Sequence, residues 1–423
     1  MPASVRLLVV GVAITLLTAC GDDSGSTPAP PAAERTAGLP AGASAAPAAP
    51  GARAAIESQN PPAAPELFGV HYVAAWASPA AFPNAAGIFR MHDATPRWDV
   101  LHTAPGRWYT EPPPVGKGLG RIDAVLLFRD RNAPDIPVIY VLGGAGTGGT
   151  GYPSWTRRST LLDAWREHVR HIARRYKGRI QYYEVWNEAD AGNWYTGSTS
   201  LLVDLTRIAA EEIRTADPAA RVIGPSFTQE GHAMMDDFYG RDVAAHIDIV
   251  GWHHGIENPE ADTAHIVDAL RILRRHAVNK PLWATEINLR GGAAELARTL
   301  LLHWLYGVEM VGYYSWEMPT YYGGDDGFAH TTDRAGNPTA AGVAFDVLRS
   351  WIEGRSATDV DIDGETWFVT LDNGDIITWA AGAPAEKRMG AGTLHRLDGS
   401  RASWPEGVYT PMSQPVLFVS RSP

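Results

Sequence analysis

Two glutamates close short aromatic and β-branched runs far apart in the chain. Glu188 ends Tyr182-Tyr183-Glu184-Val185-Trp186-Asn187-Glu188, and Glu286 ends Pro281-Leu282-Trp283-Ala284-Thr285-Glu286. Paired carboxylates are what cleavage of a glycosidic bond needs: one protonates the leaving oxygen while the other attacks the sugar or activates water. Spacing alone does not pair them. They become a pair if both runs are strands of one (β/α)8 barrel, whose strand ends converge on a single face.

The elements that would hold them there are legible from residue 66 onward. Strand-like runs fall at residues 67–72, 88–93, 136–142, 182–188, 221–225, 247–252, 281–286 and 310–316. Helical stripes lie between them. Leu162, Trp165, Val169, Ile172 and Tyr176 share one face, with Arg and His residues, His168 and His171 among them, on the opposite face that is expected to meet water. Leu202, Leu205, Ile208 and Ala209 form a second stripe, and Ile266, Ala269, Leu270 and Leu273 a third. Eight strands with helical returns predict a TIM barrel rather than an open sheet. After a final helix over residues 340–354 the pattern turns to strands. Residues 366–371 and 376–379 flank Asp372-Asn373-Gly374-Asp375, a hairpin signal, and 407–410 and 416–419 follow. The predicted organisation is a signal peptide over 1–19, a tether over 20–65, the barrel over 66–354 and a small β-sandwich over 355–423. A sandwich of that size is expected to pack on the barrel.

Composition narrows the partners. A formal net charge of -11 argues against nucleic acid, whose phosphates would be repelled. Fifteen Trp suit either a large core or ring faces offered to sugars. Arg6, an apolar stretch over residues 7–19 and Leu17-Thr18-Ala19-Cys20 resemble a bacterial lipoprotein signal, with Cys20 as the lipidated residue. Cys20 is the only cysteine, so no disulfide within one chain is possible. Residues 21–65 are rich in Ala, Pro and Gly and are expected to form a disordered tether reaching about 40 Å. Together these predict an exported monomer, lipid-anchored at a membrane in the periplasm or at the cell surface, meeting a carbohydrate polymer or oligosaccharide.

Trp186-Asn187-Glu188 after a fourth strand and Thr285-Glu286 after a seventh resemble the retaining β-glycosidases of clan A. Within that clan the likeness is greatest to glycoside hydrolase family 39 and its exopolysaccharide-degrading relatives. Phe89-Arg90-Met91-His92-Asp93 followed by Trp98 resembles that group's second-strand segment. Pro153-Ser154-Trp155 resembles its loop after the third strand, and Trp316 the tryptophan that ends its eighth. The likeness spans residues 66–420. It implies Glu188 as general acid and base, its pKa raised by burial and a neighbouring carboxylate, and Glu286 as ionised nucleophile. It further implies Asn187 on the sugar 2-hydroxyl, Arg90 orienting Glu286, and no metal or cofactor. His253 is read as a substrate contact or a satisfied structural histidine. Trp316, Trp155, Trp194 and Trp98 are candidates for sugar stacking or for core. A transglycosylase would use the same residues, whereas an inactive polysaccharide-binding barrel would need neither glutamate.

Two departures stand out. The sixth strand of the family carries a tyrosine where this chain has Gly255, so Tyr313, Tyr321 or Tyr322 is expected to replace it. The second-strand tryptophan is replaced by His92. Glu184 shares strand parity with Glu188 and is expected as a buried structural acid about 13 Å deeper in the barrel. Glu317 reads as rim, the glycine run 143–149 as a loop at the mouth, and Asp325-Asp326-Gly327 as too few ligands for calcium.

Overall fold

The computed structural model describes residues 61–72, 86–111, 117–144, 151–316, 330–333 and 335–420. The expectations for residues 1–60, Cys20 included, lie outside these residues, as do those for Glu317, Tyr321, Tyr322, Asp325, Asp326, Gly327 and the glycines beyond Gly144.

Eight parallel strands form the barrel: β1 Phe68–His71, β2 Ile88–Arg90, β3 Val138–Gly143, β4 Tyr182–Trp186, β5 Arg221–Ile223, β6 Val250–Ile256, β7 Leu282–Leu289 and β8 Val308–Tyr314. Hydrogen bonding runs β6-β7-β8-β1-β2-β3-β4-β5. Isolated parallel bridges Ile223↔Ile249 and Phe227↔Trp252 close the ring. Helices wrap it: α1 Leu119–Asn132, α2 Leu161–Arg175, α3 Thr199–Ala216, α4 His232–Tyr239, α5 Pro259–Arg275, α6 Ala293–Leu305 and α7 Ala340–Ile352. Ser198 caps α3 and Asn258 caps α5, each accepting from a backbone N–H of the first turn. Among the described residues no helix is long and apolar enough to cross a membrane.

Inside the barrel, Ile88, Ile139, Ile223, Ile249, Trp283 and Met310 form a packed apolar layer. Side chains alternate faces along a strand, so residues two further on also point inward, one layer higher. That rule puts Arg90 above Ile88 and Glu184 above Tyr182, which packs on the layer. The apolar layer excludes water from below and forms the floor on which the polar groups stand.

The helix faces depart from expectation at α2. His168 is fully buried, and the reason is the segment after β2. Trp98 packs on Trp165 and His168, while Trp108 stacks on His171 at 3.8 Å between ring centroids. This excursion covers the histidine part of the face that was expected to meet water, while Arg174 and Arg175 stay exposed.

Beyond α7 lies a six-stranded antiparallel sheet ordered β9-β10-β11-β14-β12-β13. Its strands are β9 Ala357–Asp363, β10 Thr366–Leu371, β11 Ile376–Ala380, β12 Gly392–Arg396, β13 Arg401–Trp404 and β14 Val416–Ser420. A two-stranded pair, Lys387–Met389 with Gly407–Tyr409, lies beside it. The architecture is the expected barrel with a C-terminal β-sandwich. The hairpin turns at Gly374, whose φ of 83° suits glycine. The sheet shares the barrel's core through Trp367, Val369, Ile377, Trp379 and Leu417. Trp379 stacks flat on Trp367 and donates its indole N–H to Glu260 of α5 at 2.9 Å.

Candidate active site

Arg90, at the end of β2, organises the site. A guanidinium carries five N–H donors in a fixed fork, and each of its three nitrogens has a carboxylate or amide oxygen to donate to. Nε and Nη2 grip Glu184 at 2.9 and 3.0 Å, and Nη2 also donates to Asn187 Oδ1 at 2.7 Å. Nη1 donates to Glu286 Oε2 at 2.8 Å and lies 3.3 Å from His71 Nδ1. Arg90, Glu184 and His71 are completely buried. Burial opposes the charge on Glu184, but Arg90 and His253 outweigh it and hold the carboxyl far below the usual carboxylate range.

Glu286 owes its direction to a bulge. Register along β6 and β7 runs Trp252↔Ala284 and then His253↔Glu286, so Thr285 is an extra residue. Trp283 faces the inner layer, and plain alternation would have pointed Thr285 inward and Glu286 out. The bulge reverses that parity. Burial would raise the Glu286 pKa, but interactions with His71, His253 and Arg90 outweigh it and leave the carboxyl below its ordinary value. Its second oxygen, Oε1, accepts from Asn288 Nδ2 at 3.2 Å.

Glu188 lies beyond the strand rather than on it. β4 ends at Trp186, and Glu188 takes a φ of 45°, an uncommon conformation for a side-chain-bearing residue. The turn is held from the loop after β5, where the Glu188 N–H donates to Ser226 Oγ and the Ala189 N–H to the Ser226 carbonyl. This turn swings Glu188 back over the barrel. Glu184 is therefore not remote but the wall beneath the site: His253 Nδ1 lies 3.1 Å from Glu188 and its Nε2 3.7 Å from Glu184. Burial alone would push the His253 imidazole down. Hydrogen bonds to Glu184 and Glu188, with the charge of Glu286, reverse this and hold it up at about 9. One oxygen each of Glu188 and Glu286 and one nitrogen of His253 lie within 4.8 Å of one another.

Asn187 is buried beside Glu188. An arginine only donates, so the Asn187 oxygen must face Arg90, and its NH2 is left for the cleft. On the same flank, a Cβ built on Gly144 would meet Asn187 Cβ at 3.3 Å, Arg97 Cδ at 3.5 Å and His92 Nε2 at 3.7 Å. His92 Nδ1 is 3.3 Å from Asp93, whereas its Nε2 is buried without a hydrogen-bond partner. Trp194, half-buried, packs on His92 and beneath Arg97.

The structure thus brings Glu188, Glu286, Asn187, Arg90 and His253 together. The tryptophan candidates divide between the core and a half-buried position. Trp316 is fully buried and stacked on Tyr72, so its ring packs in the core rather than facing the cleft. Trp155 packs edge-on against His102 and donates its N–H to the His102 carbonyl, a position tied to the excursion after β2. Trp98 is core. Tyr313 is buried towards Phe345 of α7, on the outer side of the barrel, and does not replace the side chain missing at Gly255. Tyr314 is the β8 aromatic that meets the site, edge-on to His71 at 4.8 Å. His71, Asn288 and His92 were given no role from the sequence. The available signal was a polar residue at the C-terminal end of a barrel strand, which reads as functional.

Two ligand sets could be drawn for a metal ion, Glu188-His253-Glu286 and His71-His92-Glu286. Both share Glu286, whose Oε2 is held by the Arg90 guanidinium. The first also needs a lone pair from His253, whose two ring nitrogens already lie against Glu188 and Glu184. The donor set suits an organic substrate better than a cation.

No family model matches the chain, and no curated protein sequence does. Solved structures do resemble it. A family 39 glycoside hydrolase from Bacteroides cellulosilyticus aligns with TM-score 0.61 and 16% identity over 80% of this chain and 76% of its own. A glucosidase from Croceicoccus marinus aligns with TM-score 0.57 and 12% identity, over 87% and 98%. A family 51 arabinofuranosidase from Xanthomonas axonopodis pv. citri aligns with TM-score 0.58 and 10% identity, over 86% and 98%. What this chain shares with them is the fold.

Proposed function

We propose that the protein is a retaining β-glycoside hydrolase acting on a poly- or oligosaccharide. The observation that carries this is the approach of Glu188 and Glu286 to within 4.8 Å. Retaining enzymes hold their two carboxyls about 5–5.5 Å apart, whereas inverting enzymes need about 6.5–9.5 Å to admit a water. The activities named for the three similar structures support the same reaction class. In this reading Glu286, kept ionised by Arg90, attacks the anomeric carbon as Glu188 gives its proton to the leaving oxygen. The C–O bond to the leaving group breaks and a glycosyl ester forms on Glu286. Water, deprotonated by Glu188, then attacks the same carbon and releases Glu286. Asn187 offers its NH2 to the sugar 2-hydroxyl, and His92 Nε2 accepts from another hydroxyl.

The test is azide rescue. Glu286→Gly is expected to lose several orders of magnitude of turnover, each tenfold being about 1.4 kcal/mol. With azide and an activated aryl β-glycoside it should yield the α-glycosyl azide after one inversion. Glu188→Gly should yield the β-azide, because the ester still forms. The same anomer from both variants, or an inverted sugar from wild type, would overturn the assignment. Transfer to a second hydroxyl in place of water would appear as elongated products in the same assay.

We also propose that the protein is an exported lipoprotein anchored through Cys20. Cys20→Ser should move it from the membrane fraction to the soluble exported fraction. Wild type found wholly soluble would exclude the anchor.

A further inference from the structure

Arg90 holds one oxygen of Glu286, and the residue on the other oxygen, Asn288, is also the wall of a side chamber. This cavity of about 220 Å³ is lined by Gln229, Gly255, Glu257, Asp262, Asn288 and Arg290. Gly255 creates it. Its φ is not in the left-handed region, and the nearest atoms a Cβ there would meet are those of the Gln229 side chain, at 3.5 Å or more, an ordinary contact. Neither strain nor crowding calls for glycine at this place, so what the glycine provides is room. The chamber is built rather than incidental. Gln229 Oε1 accepts from the Gly255 N–H at 2.7 Å, and Asp262 accepts from the N–H groups of Glu257 and Asn258 at 2.8 Å each. Gly255 and Asn288 face each other across β6 and β7. Because the Asn288 NH2 serves Glu286, its oxygen remains as an acceptor at the chamber wall.

We infer that this chamber is a specificity subsite for a single sugar branch, so that the substrate is a branched β-glycan. The inference rests on the hydrolase reading above. The volume is below the roughly 300–1,000 Å³ of sites for drug-sized ligands, which leaves room for one sugar ring and not for a chain. The walls offer amides, the carboxylates of Glu257 and Asp262 and the guanidinium of Arg290, groups that hydrogen-bond sugar hydroxyls. A branch hydroxyl on the Asn288 oxygen would orient the amide that holds Glu286.

The experiment uses the full chain on aryl β-glycosides and on three matched pairs: xyloglucan with cello-oligosaccharides, arabinoxylan with unbranched xylan, and galactomannan with unbranched mannan. Failure on every aryl glycoside sinks the hydrolase reading itself. With aryl glycosides cleaved, kcat/KM for the branched member of one pair should exceed that for its partner about tenfold or more, the discrimination one well-filled pocket provides. Gly255→Phe should abolish that ratio and Gly255→Ala lower it least, with melting curves confirming folding. Should the ring prevent folding, Gly255→Leu fills the same space. A wild type that attacks neither member of any pair, or the unbranched member at least as fast in all of them, overturns the inference. So does a branched-to-unbranched ratio that survives the bulky substitution.

Discussion

At the residue scale the site is a chain of charges each held by the next: Glu184 to Arg90 to Glu286, with His253 between Glu184 and Glu188. Buried charges are tolerated here because every one is paired, and removing one partner would leave another uncompensated. His253 gives this a pH signature. Its folded pKa of about 9 lies above the roughly 6.5 of a free imidazole. The stabilisation is therefore fully present below the unfolded value and is lost as pH rises through the folded one. Stability measured by urea unfolding should fall between about pH 7 and about pH 10, and His253→Gln should flatten that fall. An equal decline in both proteins would place its source elsewhere.

At the element scale the decisive feature is the extra residue in β7. Thr285 turns Glu286 inward, and Gly312 of β8 is packed against it: a Cβ at Gly312 would lie 2.2 Å from the Thr285 carbonyl oxygen. Gly312→Ala must push β7 aside just before Glu286. We expect a cost of about 1–3 kcal/mol, typical of overpacking, together with a fall in kcat/KM on an aryl glycoside. Gly192→Ala, whose Cβ would meet nothing within 4 Å, serves as the control. Wild-type melting and kinetics in Gly312→Ala would show that the bulge is not held by this contact.

At the scale of the whole molecule, barrel and C-terminal sheet share one core, and Trp379 is the joint. Glu260, which accepts its indole N–H, also takes Arg298 of α6 at 3.1 Å, so one acid links the sheet to two barrel helices. Trp379→Ala should cost about 3–5 kcal/mol, as for other large aromatic truncations in a core, and should lower the melting of the whole described body in one transition. A two-step melt with the barrel step unmoved would show the sheet to be an independent passenger.

Periodicity in the sequence was enough to determine eight strands, helices α2, α3, α5 and α7 and the C-terminal hairpin, because burial writes a period of two or of 3.6 into each of these segments separately. Helices α1, α4 and α6 were not read from it, and α6 is buried from Leu296 to Leu305 and so carries no one-sided stripe. Of the residues gathered at the candidate site, Glu188 and Glu286 stand out in the sequence as acids ending apolar runs, whereas Asn187 and Arg90 were marked only by the resemblance to clan A glycosidases. Strands such as residues 357–363, with Asp359, Asp361 and Asp363 on a partly exposed edge, left no such trace. Tertiary structure decided everything that depends on a neighbour. The inward parity of Glu286 comes from β6 pairing past Thr285, and the return of Glu188 over Glu184 comes from Ser226 on another loop. The burial of His168 comes from Trp98 folding across α2. None of these contacts has a local period, since each joins segments whose separation in sequence carries no information about their distance in space.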